Sequence, residues 1–300
     1  MDAIIDHIRP NNAFELAAFV ENHHDTYPHI TPTGAELSGK FILITGASKG
    51  IGRATAVSCA KAGCAHIAIA ARSSLEEATK EIYEEAEKAG LARPEVLQLQ
   101  MDVTSNESVQ EAAQRYRSVF GDKLDILVNN AGYLPEYKTV IDSDPVEWMK
   151  GWDVNFKGTF LTCHHFLPFV LKSTTKILIN LSSIGAHLLT YGGSSYGTSR
   201  FANVRLSEFL ARDHEDDGLV VISLHPGGIK TDMADNFPSM LHFSLNDELA
   251  LPADTIVWLA KERREWLNAR FVWSNWDMKE LEARKDQIVE KDLFKFRMTL

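Results

Sequence analysis

The stretch Thr45-Gly46-Ala47-Ser48-Lys49-Gly50-Ile51-Gly52 constrains this chain more than any other. It follows a short apolar run, Phe41-Ile42-Leu43-Ile44, and a helical pattern opens after it at Arg53. Glycines at a strand-to-helix turn let the chain reverse tightly and bring backbone amides close to a pyrophosphate, which then rests at the positive end of the helix. Three loosely spaced glycines alone say little; set between a strand and a helix, they stand where that mechanism needs them. The end of the next strand selects the nucleotide. An acidic residue there bonds the ribose hydroxyls of NAD, and a basic one accepts a 2′-phosphate. Here the chain reads Ala70-Ala71-Arg72-Ser73 with no carboxylate, and Lys49 puts a second cation inside the turn. The pair predicts NADP(H) over NAD(H).

Further apolar runs at Val96 to Leu99, Leu124 to Val128, Lys176 to Leu181 and Leu219 to Leu224 alternate with helical stretches. Short apolar strands separated by helices predict an α/β fold, a single doubly wound parallel sheet with helices on both faces. No second strand–helix series is legible after residue 225. The expected division is an N-terminal extension over 1–38, one nucleotide-binding and catalytic domain over 39–265, and a helical C-terminal tail over 266–300. In the extension, Ile4, Ile5, Ile8, Phe14, Leu16, Ala17 and Val20 suggest one or two short amphipathic helices. His23, His24 and His29 beside Asp25 read as a solvated turn, and no metal site is expected. A net charge of -10 argues against nucleic acid as a partner. No apolar run is long enough to span a membrane. Cys59, Cys64 and Cys163 are too few and too irregular for a disulfide framework, and point to reduced, packed thiols in a cytoplasmic protein.

Six segments, in order, give the chain a recognisable look. These are the glycine turn, Asp102-Val103, Asn129-Asn130-Ala131-Gly132, Asn155 in Val154-Asn155-Phe156, Ser182-Ser183 with Tyr196-Gly197-Thr198-Ser199, and Pro226-Gly227 with Ile229 and Thr231. Over about residues 38 to 235 the chain resembles the short-chain dehydrogenase/reductase family, and the segment from Phe271 to Leu300 is similar to the tail of its fungal members. The resemblance implies a Rossmann-type sheet. It also implies cofactor contacts from Gly46, Ser48, Lys49, Ile51, Gly52, Arg72, Asp102, Val103, Asn129, Ala131, Gly132, Pro226, Gly227, Ile229 and Thr231, together with Tyr196 and Arg200.

Reducing a carbonyl by hydride needs a group to hold the developing oxyanion and an acid to protonate it. Tyr196 is the candidate acid, and Ser183, thirteen residues upstream, the candidate holder of the oxygen. Tyr191 has neither that spacing nor the Gly-Thr-Ser that follows Tyr196. One departure from the family stands out. Four residues after Tyr196, where the family has lysine, this chain has Arg200. One helical turn separates the two positions, so both side chains share a face. The family's lysine holds the nicotinamide ribose, with a water positioned by the asparagine at Asn155. Arginine keeps the charge but cannot release a proton into a relay.

In the family this chain resembles, the stretch after Thr231 forms a lid over the substrate, so the resemblance implies that Phe237, Met240, Leu241, Phe243 and Leu245 form its apolar inner face, with Leu188, Leu189 and Tyr191 as the opposite wall; an apolar helix docked on the core would show the same residues. Together these features predict an NADP(H)-dependent oxidoreductase that interconverts a carbonyl and an alcohol on an apolar small molecule of the secondary-metabolite type. Arg200 keeps a non-redox lyase or isomerase on the same scaffold in view, and a nucleotide-binding sensor is a third class. The helices over about 156 to 172 and from Tyr196 to Arg212 resemble the family's dimerising surfaces and imply a homodimer or homotetramer. His164 and His165 fall on the first of them and are read as structural or interface residues.

Overall fold

The computed structural model describes residues 8, 9, 16 and 18–298. Seven strands form one parallel sheet: β1 Phe41–Thr45, β2 His66–Ala71, β3 Glu95–Gln100, β4 Ile126–Asn129, β5 Ile177–Leu181, β6 Val220–His225 and β7 Arg270–Trp273. Their order across the sheet is β3-β2-β1-β4-β5-β6-β7, so the winding reverses between β1 and β4. Apart from the edge strand β3, where Glu95, Gln98 and Gln100 are exposed, the strands are short and largely apolar because both faces are covered. Alternation of side chains sorts them. Ile42, Ile44, Ile67 and Ile69 enter one core with Trp258 and Trp276; Leu43, Ala68, Ala70 and Leu127 enter the other with Tyr116 and Phe166.

The covering helices are α1 Gly50–Lys61, α2 Glu76–Lys88, α3 Asn106–Phe120, α4 Pro145–Trp152, α5 Gly158–Leu171, α6 Ser194–Asp213 and α7 Ala250–Lys261. Two short tail helices follow, α8 Met278–Ala283 and α9 Lys285–Glu290. Caps explain several starts: Ser105 accepts from Ser108 N–H, and Asp144 accepts from Val146 and Glu147 N–H just ahead of Pro145. Between α4 and α5 a π-helical turn at Asp153–Lys157 carries Asn155. Just ahead of β4, beside the start of β1, Asp125 is fully buried. Burial alone would raise its carboxyl, but hydrogen bonds from Ser173 and the Phe41 N–H and the nearby Lys123 carry it below its usual range.

Three expectations need correction. The tail is not simply helical: Arg270–Trp273 is a seventh strand, paired with β6, so the sheet runs past residue 265. In the extension, Ile8 and Arg9 pair antiparallel with Thr190 and Leu189 instead of forming a helix; Ile4, Ile5, Phe14 and Ala17 lie outside the described residues. The histidines are not a solvated turn. His23 Nε2 lies 2.8 Å from Asp277 Oδ2, His24 bonds Asp247, and His29 Nε2 lies 3.3 Å from Glu282. Residues 18–38 therefore run across the body and bind the tail, with the Tyr27 hydroxyl accepting from the Met278 N–H at 2.6 Å. Among the described residues no helix is long and apolar enough to cross a membrane, and no group of three His, Cys, Asp or Glu is placed to hold a metal ion. All three cysteines are free and buried, and burial pushes the thiols of Cys64 and Cys163 up to about 12.

Candidate active site

A cleft of about 580 Å³ opens over the carboxyl ends of the strands, at the β1/β4 reversal. Its floor is the glycine turn. Gly46 and Gly50 hold positive φ values of 66° and 57°, a region that costs any residue with a Cβ. A Cβ on Gly52 would overlap the Asn130 side-chain amide and the Gly46 carbonyl. Asn130 is the clamp: its Nδ2 donates to the carbonyls of Thr45 at 2.8 Å and Gly46 at 3.1 Å, while Thr45 Oγ1 accepts from the N–H of Asn130 and of Ala131, each at 3.0 Å. Helix α1 begins with Lys49 as its cap, without a side-chain cap bond and without an acidic residue in its first turn. Its amides are left for an anion. The cradle thus has the shape and sign that a dinucleotide pyrophosphate requires.

Of the expected cofactor contacts, Gly46, Ser48, Lys49, Ile51, Arg72, Asp102, Val103, Ala131, Gly132, Pro226 and Thr231 border the cleft. Arg72 is exposed there, while Lys49 Nζ is 2.7 Å from Asp232 Oδ2, so the second expected cation already has a carboxylate partner. Both partners are about two-thirds exposed, at 68% and 71%, and such a pair is weak enough to open. Four expected contacts, Gly52, Asn129, Gly227 and Ile229, do not border the cleft. Asn129 is turned into the sheet, where Nδ2 donates to Asn180 Oδ1 at 2.8 Å, because the last strand residue points the opposite way from its neighbour. Gly227 and Ile229 face away because their loop is pinned to Asp247.

On the catalytic side, Tyr196 and Arg200 line the same cleft from one face of α6, with the guanidinium carbon 5.2 Å from the tyrosine ring centre. Arg200 is 4% exposed and donates from Nη1 to the Leu181 carbonyl at 2.8 Å; its Nε is buried without a partner. Gly132 makes room for it, since a Cβ there would overlap Nη2. Ser183, two residues past β5, caps the short 3-10 turn Ile184–Ala186, its Oγ accepting from the Gly185 N–H at 3.0 Å; its neighbour Ser182, not Ser183, borders the cleft. Gly185 in turn lies against the Tyr196 ring. His225, at the end of β6, accepts at Nδ1 from the Ile184 N–H at 3.2 Å. Burial pushes its imidazole down to about 4.

Asn155 does something other than border the cleft. Fully buried, it accepts from the Tyr133 N–H at 2.8 Å and donates to the Tyr133 carbonyl at 2.9 Å, clamping the segment after Gly132. Its own carbonyl accepts from Thr159 Oγ1 and Asn203 Nδ2, at 2.9 and 3.1 Å. The segment after Thr231 does not show the apolar inner face expected of a lid. Two 3-10 segments, Asp232–Asn236 and Ser239–Ser244, bury Leu241 and set Phe237 edge-on to Tyr137 at 5.7 Å, whereas Phe243 and Met240 point outward. Met233 lines the cleft in their place. Leu189 and Tyr191 are exposed and form no wall. Lys230, Asp247 and His225 also belong to the site, and Asn130, beside Asn129, is the residue that clamps the turn. The tandem asparagines and the His-Pro-Gly run were the available signals; nothing local marked Asp247.

Strand order, glycine cradle and cleft define a dinucleotide-binding α/β protein. The family model for short chain dehydrogenase matches residues 40–241, and this chain belongs to that family. It is 42% identical over 280 residues to the short chain dehydrogenase citE of Monascus ruber, covering 93% of this chain and 96% of that one. The short chain dehydrogenase pigC, also of Monascus ruber, is 41% identical over 278 residues, with 92% and 91% covered. Among solved structures, a short chain dehydrogenase of Shigella flexneri complexed with NADP superimposes with a TM-score of 0.71 at 26% identity, over 79% of this chain and 98% of that one.

Proposed function

We propose that this protein is an NADP(H)-dependent oxidoreductase that interconverts a carbonyl and an alcohol on an apolar small molecule. One observation carries the reading: Tyr196 and Arg200 reach from one face of α6 into the same cleft that the glycine turn opens. The bound nicotinamide supplies or accepts the hydride. Gly46, Gly52 and the start of α1 would hold the pyrophosphate, and Arg72 would meet the 2′-phosphate. In the reducing direction the Tyr196 hydroxyl gives its proton to the carbonyl oxygen, which the Ser183 hydroxyl holds by hydrogen bond. Ser183 Oγ accepts from Gly185, so its own proton remains free to point at that oxygen. Arg200, where the resemblance implies lysine, stabilises the negative charge left on the tyrosine oxygen as a fixed cation. With the Asn155 carbonyl occupied by Thr159 and Asn203, no proton relay passes through it; Tyr196 is re-protonated from the cleft mouth.

Met233, Val154 and Leu181 on the cleft wall favour an apolar substrate. The exposed Phe160 on α5 and Phe209 on α6 support self-association through those helices, as a homodimer or homotetramer. Three buried reduced cysteines accord with a cytoplasmic setting. Fluorescence titration with NADPH and NADH tests the cofactor assignment. NADPH should bind at least tenfold more tightly, since a charge-assisted contact to phosphate is worth roughly one to two decades of affinity. Arg72→Ala should close most of that gap, and Asp232→Asn, by releasing Lys49, should widen it. Equal affinities in the wild type would reject the assignment.

A further inference from the structure

The loop after β6 is held by one carboxylate that the tail and the N-terminal segment also bind. Asp247, just past the lid, has a side chain only 4% exposed. Its Oδ2 accepts from the Gly228 N–H at 2.6 Å and from Asn275 Nδ2 at 2.9 Å, and its Oδ1 bonds His24 Nδ1. The backbone repeats the grip, with the Asp247 N–H donating to the Gly228 carbonyl at 3.0 Å. Gly227 sits at φ 96°, and a Cβ there would come within 2.5 Å of Asp247 Oδ2. A Cβ on Gly228 would overlap the Ser244 carbonyl. The polar backbone of residue 228 is therefore turned away from the cleft, while Pro226, Lys230 and Thr231 on either side of it face in. His24, 60% exposed, closes the arrangement from outside; the Asn275 side chain also donates to the His23 carbonyl at 3.1 Å, and the Glu248 N–H to the His24 carbonyl at 2.8 Å.

We propose that Asp247 is a positioning residue for the nicotinamide half of the cofactor, and that the N-terminal segment, through His24, is the outer part of the device. Asp247 touches neither cofactor nor substrate. It fixes the peptide planes of Gly227 and Gly228 and thereby the line of Pro226 to Thr231 along the cleft. The segment before β1 thus contributes to the site without entering it. This inference rests on the oxidoreductase reading above.

The test compares two ligands that differ only in reach: NADPH, which extends to this loop, and adenosine 2′,5′-bisphosphate, which stops at the glycine turn and Arg72. Calorimetric titration of the full chain gives both affinities without turnover. Asp247→Asn should weaken NADPH about tenfold, the loss of one charge-assisted hydrogen bond, and leave the bisphosphate within about twofold. His24→Ala alters only a half-exposed partner, so it keeps the fold intact, and should weaken NADPH about threefold with the bisphosphate unchanged. Equal weakening of both ligands, or of neither, in both variants would overturn the proposal. A wild type that binds neither ligand would instead overturn the oxidoreductase reading on which it rests.

Discussion

Arg200 shows how much chemistry one side chain can rearrange. A guanidinium is planar and broad, so it needs the space left by Gly132, and it gives one N–H to the Leu181 carbonyl at 2.8 Å. Lysine could keep the charge but could not fill that slot. Arg200→Lys should therefore lower kcat by about three- to tenfold while NADPH is still consumed one-for-one with product; Arg200→Met, without the charge, should lower it by roughly a hundredfold. Steady-state rates with product analysis check both, and a lysine variant faster than wild type would show that the pocket is not built around arginine. Tyr196→Phe keeps the ring against Gly185 and removes only the hydroxyl. Turnover should fall by about 10²- to 10⁴-fold with NADPH affinity nearly unchanged, and near-normal turnover would make Tyr196 a packing residue. The Tyr–Arg pair was legible because helical spacing fixes which residues share a face. The destination of the guanidinium was not, because it depends on a glycine sixty-eight positions earlier.

Among the elements, those with both a pattern and a stop signal were legible. The glycine turn and the apolar strands β1 to β6 appear where the sequence puts them to within a residue or two. β7 was hidden by its first residue. Arg270 is a charged residue at a strand start, yet it is buried, donating to the Trp266 carbonyl at 2.9 Å and to Leu293 O, and paired with Asp292. Local pattern discounts such a residue; only the tail that folds back over it supplies the partners. The lid failed for a related reason. Its apolar residues are spread over two 3-10 segments and a proline, so no single helical face gathers them. The turn itself is the most sensitive element. Gly52→Ala places a methyl group against the Asn130 amide and the Gly46 carbonyl, neither of which can retreat without breaking the clamp. It should abolish measurable NADPH binding in a fluorescence titration and lower Tm by several degrees, on the order of 1 to 3 kcal/mol of strain. Tight NADPH binding by that variant would exclude the turn as the pyrophosphate seat.

At the scale of the molecule, the ends of the described chain are structural partners of each other and of the site. Residues 18–38 reach Asp247, Asp277 and Glu282, while Thr26 and Ser58 both donate to the buried Asp254 at 2.5 Å. Long-range pairings of this kind leave no periodic trace, which is why the histidines looked like a solvated turn. Two further histidines set the response to acid. Burial pushes His187 and His225 down to about 4 each, and His187 lies between Phe271 and Phe296, with ring centres 4.8 and 4.3 Å away. Their folded-state values lie below the unfolded value of about 6.5, so the unfolded chain binds more protons between the two. Stability is then full above about pH 6.5 and falls as the pH drops toward 4, by on the order of 3 kcal/mol for His225 alone. Tm measured across that window should decline, and His187→Phe should flatten part of the decline; a Tm that rises on acidification would contradict the assignment.

The account as a whole depends on hydride transfer at the Tyr196–Arg200 cleft, and nicotinamide absorbance followed alongside product formation measures it directly. With a set of apolar aromatic and alicyclic ketones and aldehydes, NADPH should be oxidised in one-to-one ratio with the alcohol formed, and Tyr196→Phe should silence both signals together. Product that accumulates while the nicotinamide absorbance stays constant would contradict the account and make the site that of a lyase or isomerase.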